Sequence, residues 1–145
     1  MSEGETHARL VSALLEAIRA ECGANDIDVR ADMTCDGRYG MPYEIAGMRP
    51  DLLVRQRDPA RVILGEAKTF RDIDTVHTRE QLKLFLEHLI TQPEALLWLS
   101  VPLVGAGAAV RVVRVTRAAC RCEQVPFRVS GWLIGAANVE RRWHG

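Results

Sequence analysis

At 145 residues the chain is long enough to bury one sizeable core. Its 48% hydrophobic and 26% charged content excludes the disordered and fibrous classes. Nineteen basic and nineteen acidic residues cancel to zero net charge, which excludes indiscriminate polyanion binding through bulk charge; contact with nucleic acid needs a local patch, a homodimer or a larger complex. No run reaches the roughly 18 apolar residues of a membrane span, and Met1-Ser2-Glu3-Gly4-Glu5-Thr6 lacks the pattern of a secretion signal. The expectation is one cytoplasmic domain over residues 1–145, with no membrane contact.

The spacing of Leu10, Val11, Leu14, Leu15 and Ile18 predicts a first helix from about Thr6 to Cys22. His7 falls near the middle of that apolar stripe, whereas Glu5 and Glu16 fall on the opposite, wet face. Gly23-Ala24-Asn25-Asp26 reads as a helix stop and a turn. Ile27, Val29, Ala31 and Met33 then alternate with Asp28, Arg30 and Asp32, as in a strand with one wet face. Asp36-Gly37-Arg38-Tyr39-Gly40 is a polar loop; Arg38 and Tyr39 suit a phosphate backbone or a base, and equally a solvated hairpin tip. Gly47 marks a bend or bulge, and Pro50 holds Arg49 extended.

From Arg49 to Lys68 the sequence predicts two strands joined by a turn at Gln56–Ala60. Val54 follows Asp51, and Val62, Ile63 and Leu64 lead into Glu66, so charged residues are attached to strongly β-forming runs. A buried acid is costly unless paired, protonated or bound to a cation. Glu66 and Lys68, two residues apart in a strand, share one face, and Ala67 points away. If the Asp51 strand pairs with this one, two carboxylates and a backbone carbonyl form an oxygen cluster suited to Mg²⁺ or Mn²⁺. The bland alternative is a surface hairpin carrying a Glu–Lys pair.

Pro50-Asp51, a gap of 14 residues, then Glu66-Ala67-Lys68 resembles the signature of the PD-(D/E)xK nuclease superfamily. The resemblance covers about Thr6 to Val115. It implies an α/β fold with a restriction-endonuclease-like core, a central mixed β-sheet flanked by helices in the order α-β-β-β-α-β-β. It also implies a Mg²⁺-dependent (or Mn²⁺-dependent) nuclease acting on nucleic acid, DNA first, with Asp51, Glu66 and the Ala67 carbonyl as metal ligands and Lys68 positioning the attacking water. Two neighbouring acids raise a lysine's pKa, so orientation and charge suit Lys68 better than the role of base. In similar nucleases an acid near the start of the first helix helps hold metal; here His7 occupies that position, as ligand, as partner of a bound water or as a core histidine. A non-cleaving nucleic-acid-binding or interaction subunit on the same fold is the alternative.

After Lys68 comes a polar connection in which Arg71 and His77, with Arg49 and Arg38 before them, are candidate nucleic-acid contacts. A second helix is predicted from Thr75 or Thr78 to Ile90, with Leu82, Phe85, Leu86, Leu89 and Ile90 inward and Leu84 on the wet side. The resemblance aims a glutamine from this helix at the active site, which is Gln81. The same residue closes a Thr78-x-x-Gln81 capping box, and both readings stand. Ala95–Pro102 reads as an interior strand, Gly105-Ala106-Gly107 as a turn and Ala108–Val115 as a further strand. Phe127–Ile134 suits an edge strand or a dimer surface. Glu140-Arg141-Arg142-Trp143-His144 suits either phosphate contact with stacking or a solvated terminus. Cys120-Arg121-Cys122 with Cys35 or His144 offers a zinc set, against the commoner state of free cytosolic thiols.

Overall fold

The computed structural model describes residues 1–23, 26–32 and 38–145. The turn at Ala24–Asn25 and the expectations for Met33, Cys35, Asp36 and Gly37 lie outside these residues.

Helix α1 (Glu3–Cys22) begins three residues earlier than its apolar pattern predicts, because Ser2 caps it: the Ser2 hydroxyl accepts the Glu5 N–H at 3.1 Å. Its stripe of Leu10, Val11, Leu14, Leu15 and Ile18 is buried. Leu14 packs so closely on the sheet that a Cβ added at Gly65 would lie 3.0 Å from its Cδ2. Strands β1 (Ile27–Ala31), β2 (Leu52–Arg57) and β3 (Ala60–Ala67) follow, with Asp58-Pro59 as the β2–β3 turn. Before β2, Ile45 and Met48 bond across a tight turn with Gly47 at φ 86°, the expected bend.

Helix α2 (Val76–Leu89) leads to β4 (Ala95–Pro102), helix α3 (Ala106–Ala119), β5 (Phe127–Leu133) and β6 (Val139–His144). The six strands lie in sequence order in one mixed sheet. Strands β3, β4 and β5 are parallel; β1–β2, β2–β3 and β5–β6 are antiparallel. The α/β class with a mixed sheet flanked by helices is therefore as expected. Helix α1 covers one face, burying Leu52, Val54, Ile63 and Trp98. Helices α2 and α3 cover the other, over Leu53, Leu64, Leu97 and Val129. Burying each such side chain stabilises by about 1.5–3 kcal/mol, and truncating fully buried Leu14 or Phe85 to alanine costs about 2–5 kcal/mol.

The element order corrects one expectation. Ala108–Val115 is not a strand but the middle of α3, giving α-β-β-β-α-β-α-β-β. Its buried residues, Ala106, Ala109, Val110, Val112, Val113 and Thr116, recur at helical spacing. The modest helix penalty of its valines is outweighed by burial of that stripe. Three smaller corrections follow. Ile90 caps α2 and is 39% exposed, and Leu84 is half-buried rather than on a wet face. Strand β5 is interior, and β6, built from Glu140–His144, forms the edge.

The C-terminal strands are tied down by polar contacts. Trp98 Nε1 donates to Ser130 Oγ at 2.8 Å, Ser130 donates to Glu140, and Arg142 Nε donates to Glu140 at 2.8 Å. Both Arg128 and Arg142 stack on the buried Trp98 ring. Arg142 is thus tied into the sheet, and the solvated-terminus reading of this segment does not hold for it. Glu21, at the end of α1, pairs with Arg61 at 2.6 Å and with Arg128. Cys122 Sγ donates to the Cys120 carbonyl at 3.4 Å. Burial, then the Cys120 thiol beside it, pushes the Cys122 thiol up to about 12.

Candidate active site

The register brings the motif together. Leu52 faces Gly65 across the antiparallel β2–β3 pair, so Asp51, just before β2, lies beside Glu66, near the end of β3. Side-chain alternation sets their direction. Val62 and Leu64 pack on the α2–α3 face, and Ile63 and Ala67 on the α1 face. Glu66 and Lys68 therefore follow Val62 and Leu64 toward α2.

Asp51 is an acceptor hub. Its Oδ2 takes the Ala67 N–H at 2.8 Å and His7 Nε2 at 3.2 Å, and its carboxyl also hydrogen-bonds with Glu66. Burial opposes ionisation of Asp51, but hydrogen bonds from His7, Glu66 and the Ala67 N–H outweigh it and hold the carboxyl below its ordinary range. Glu66 has no such donors. It is 3% exposed, and burial followed by the Asp51 charge pushes its pKa well above the ordinary value. Of the two acids, Glu66 is therefore the one driven toward its protonated form. His7 moves upward, because its hydrogen bond to Asp51 outweighs its burial.

Lys68 Nζ donates to Gln81 Oε1 at 2.6 Å. Gln81 is therefore not engaged in a capping box. The α2 N-cap is Thr75, whose hydroxyl accepts the Thr78 N–H at 3.0 Å, and Gln81 lies buried in the second turn, facing the site. The next residue, Thr69, donates to Glu3 Oε1 at 2.8 Å. The buried Ser100 hydroxyl donates to the Leu10 carbonyl at 2.8 Å, and the Lys68 N–H donates to the Ser100 carbonyl at 3.0 Å. Strand β4 thereby registers α1, which carries His7, against the segment that carries Lys68.

The sequence-derived candidates divide into two groups. His7, Asp51, Glu66, Ala67, Lys68 and Gln81 come together at one end of the sheet. The candidate nucleic-acid contacts are more dispersed. Arg49 is committed to the Pro42 carbonyl at 3.0 Å and to Glu44 at 3.7 Å, and Arg38 lies over the Tyr39 ring. Arg71 and His77 are exposed on the approach to and the first turn of α2.

Two acids near the site escaped the sequence reading. Asp32, whose N–H donates to the Asp51 carbonyl at 2.9 Å, is close enough for its charge to raise both His7 and Glu66. Strand alternation alone assigned it to a wet face. Glu3 lay before the expected start of the first helix; the serine preceding it was the available capping signal.

Among the described residues, no three His, Cys, Asp or Glu side chains are grouped to hold a metal. The local chemistry nevertheless fits a hard divalent cation. Glu66 Oε2 is buried with no hydrogen-bond partner among the described residues, directly beside a second carboxylate. An orphaned acid oxygen next to another acid is a donor set that a cation would satisfy.

No protein-family model matches the chain, and no curated protein matches it. Among solved structures, the chain is similar to that of Pyrococcus furiosus SfsA in complex with Ca²⁺, at a TM-score of 0.47 and 10% sequence identity. The match covers 95% of this chain and 61% of the other, so the chain spans about three fifths of that protein's length. No helix among the described residues is long and apolar enough to cross a membrane.

Proposed function

We propose that this protein is a divalent-metal-dependent nuclease of the PD-(D/E)xK kind, hydrolysing phosphodiester bonds in DNA in a cytoplasmic setting. The observation that carries the reading is the buried Asp51–Glu66 pair, with an orphaned Glu66 oxygen, beside a lysine held by Gln81. Asp51 and Glu66, with the Ala67 carbonyl, would hold Mg²⁺ or Mn²⁺, which when bound acidifies water and neutralises charge developing on the phosphate.

The chain's own residues supply the remaining requirements. Lys68 presents an ammonium group whose direction is fixed by Gln81 Oε1, suited to orienting a water and opposing negative charge in the transition state. His7 and the Ala67 N–H keep Asp51 ionised and fix its rotamer. A cation would favour the ionised form of Glu66 and burial favours the protonated one, so occupancy is expected to rise with pH. Arg71 and His77 are the exposed candidates for phosphate contact beside the site.

The test is incubation with supercoiled, linear, single-stranded and branched DNA in Mg²⁺, Mn²⁺ or chelator, with Lys68→Ala and Asp51→Asn alongside. Metal-dependent cutting lost in both variants supports the reading. DNA bound but left uncut by the wild type under every condition assigns the fold to binding instead.

A further inference from the structure

Beyond the acids, the same end of the sheet carries an exposed apolar ridge that the chemistry above does not use. Phe70, two residues after Lys68, is 57% exposed, and Val104 is 79% exposed. They belong to two short 3₁₀ turns, Phe70–Asp72 after β3 and Leu103–Gly105 after β4. Because β3 and β4 are parallel neighbours, both turns leave the sheet at its catalytic end.

The ridge is held in place. Ile73 is buried at 2% and lies so close to Gly105 that an added Cβ would sit 2.4 Å from Ile73 Cδ1 and 3.4 Å from the Phe70 ring. The two turns therefore pack against each other through the missing side chain of Gly105, and the Phe70 ring is left outward. Thr69, bonded to both Glu3 and Asp72, secures the other flank. Scattered exposed apolar residues are ordinary. Here an exposed aromatic ring instead sits on a braced turn two residues after Lys68, with the exposed Arg71 next in sequence.

We infer that Phe70, braced against the Gly105 turn, is a stacking platform for an unpaired base next to the scissile phosphate. The substrate class is then single-stranded or forked nucleic acid rather than continuous duplex. This rests on the nuclease reading and narrows it. Two residues of chain span at most about 7 Å between Cα atoms, so the Phe70 turn starts within a few nucleotides of the Lys68 segment. Inside a duplex both faces of a base are covered by its neighbours. Only an unstacked base offers a face to a protein ring, and such stacking tolerates any sequence. The exposed Arg71, next in sequence, suits a phosphate beside that base, as a chain of zero net charge requires of a local patch.

The test compares wild type, Phe70→Ala and Phe70→Trp for binding to single-stranded, forked and continuous-duplex DNA carrying 2-aminopurine, in chelator so that nothing is cut. Wild type is expected to quench 2-aminopurine at the unpaired position. Phe70→Ala should lose the quench and lower the ratio of single-strand to duplex affinity about tenfold, equivalent to about 1.4 kcal/mol. Phe70→Trp should restore both, and the exposed position keeps the melting temperature of each variant near that of wild type. Equal loss on all three substrates, or no change in the ratio, overturns the platform; the latter would leave the ridge to a protein partner. If wild type binds continuous duplex as readily as forks in chelator and still cuts DNA once Mg²⁺ is added, the platform fails while the nuclease reading survives. If wild type binds no DNA in chelator and cuts none with Mg²⁺, both fail.

Discussion

Glu66→Gln tests the raised proton affinity of the buried Glu66 carboxyl. In the folded protein Glu66 keeps its proton well above the pH at which an unfolded chain releases it. Between those two pKa values the folded state binds more protons than the unfolded one, so stability falls as pH rises. The full slope for one proton is about 1.4 kcal/mol per pH unit. For a chain of this size about 1 kcal/mol moves the melting temperature by roughly 3 °C, so wild type should lose about 4 °C per pH unit in that window. Glutamine cannot ionise, and its amide can still donate to Asp51. His7, whose pKa is raised, contributes stability below its unfolded pKa and loses it as pH rises through its folded pKa. That loss is common to both proteins and cancels in the difference. Asp51, whose pKa is lowered, loses its contribution only as pH falls below the ordinary carboxyl range, outside the window. Melting curves in chelator from pH 5 to 9 should therefore diverge, with the glutamine variant the more stable at alkaline pH. Mg²⁺ at a hundredfold excess over its Kd should stabilise wild type by about 2.7 kcal/mol and the variant far less. Parallel pH curves, or a variant that melts lower at every pH, would refute the raised proton affinity of Glu66.

Asp51→Asn should return the His7 pKa toward its ordinary value, because the hydrogen bond to Asp51 is the largest cause of its rise; NMR titration of the ring protons reads this directly. Gln81→Leu removes the acceptor of the Lys68 ammonium and should slow single-turnover cleavage about tenfold, or about 1.4 kcal/mol of barrier, while DNA affinity holds. An unchanged rate would show that Lys68 needs no such anchor. Gly65→Ala forces a methyl group to within 3.0 Å of both Leu14 Cδ2 and Leu52 Cβ. It should destabilise by about 1–3 kcal/mol in urea unfolding, and a neutral result would mean that α1 rides more loosely on the sheet.

The meeting of Asp51, Glu66 and Lys68 was legible because they sit on or at the ends of two strands with a simple alternation, and antiparallel pairing across a short turn fixes which residues meet. Spacing alone could not decide whether Gln81 closes a capping box; Thr75 occupies the cap instead. Helix α3 was misread because Val110, Val112, Val113 and Val115 give a local β preference. A better signal lay in Arg111, Arg114 and Arg117, whose three-residue interval traces a helix flank and has no counterpart in a two-residue repeat. The interior position of β5 was invisible for a different reason. It depends on β6 folding back onto it, and β6 is held by contacts such as Ser130 to Glu140 and Arg142 to Glu21, which involve charged side chains that local patterning assigns to solvent.

The buried hydroxyl of Ser100 binds the carbonyl of Leu10, 90 positions earlier. Every acid, the lysine and the glutamine of the candidate centre precede Ser100 in the chain. A ribosome-bound fragment ending before β4 would thus carry the full set of reactive groups but lack the strand that aligns the first helix with the Lys68 segment. On the proposed reading, competence would arise only after that central strand had emerged and docked, so any cutting would wait until most of the sheet exists.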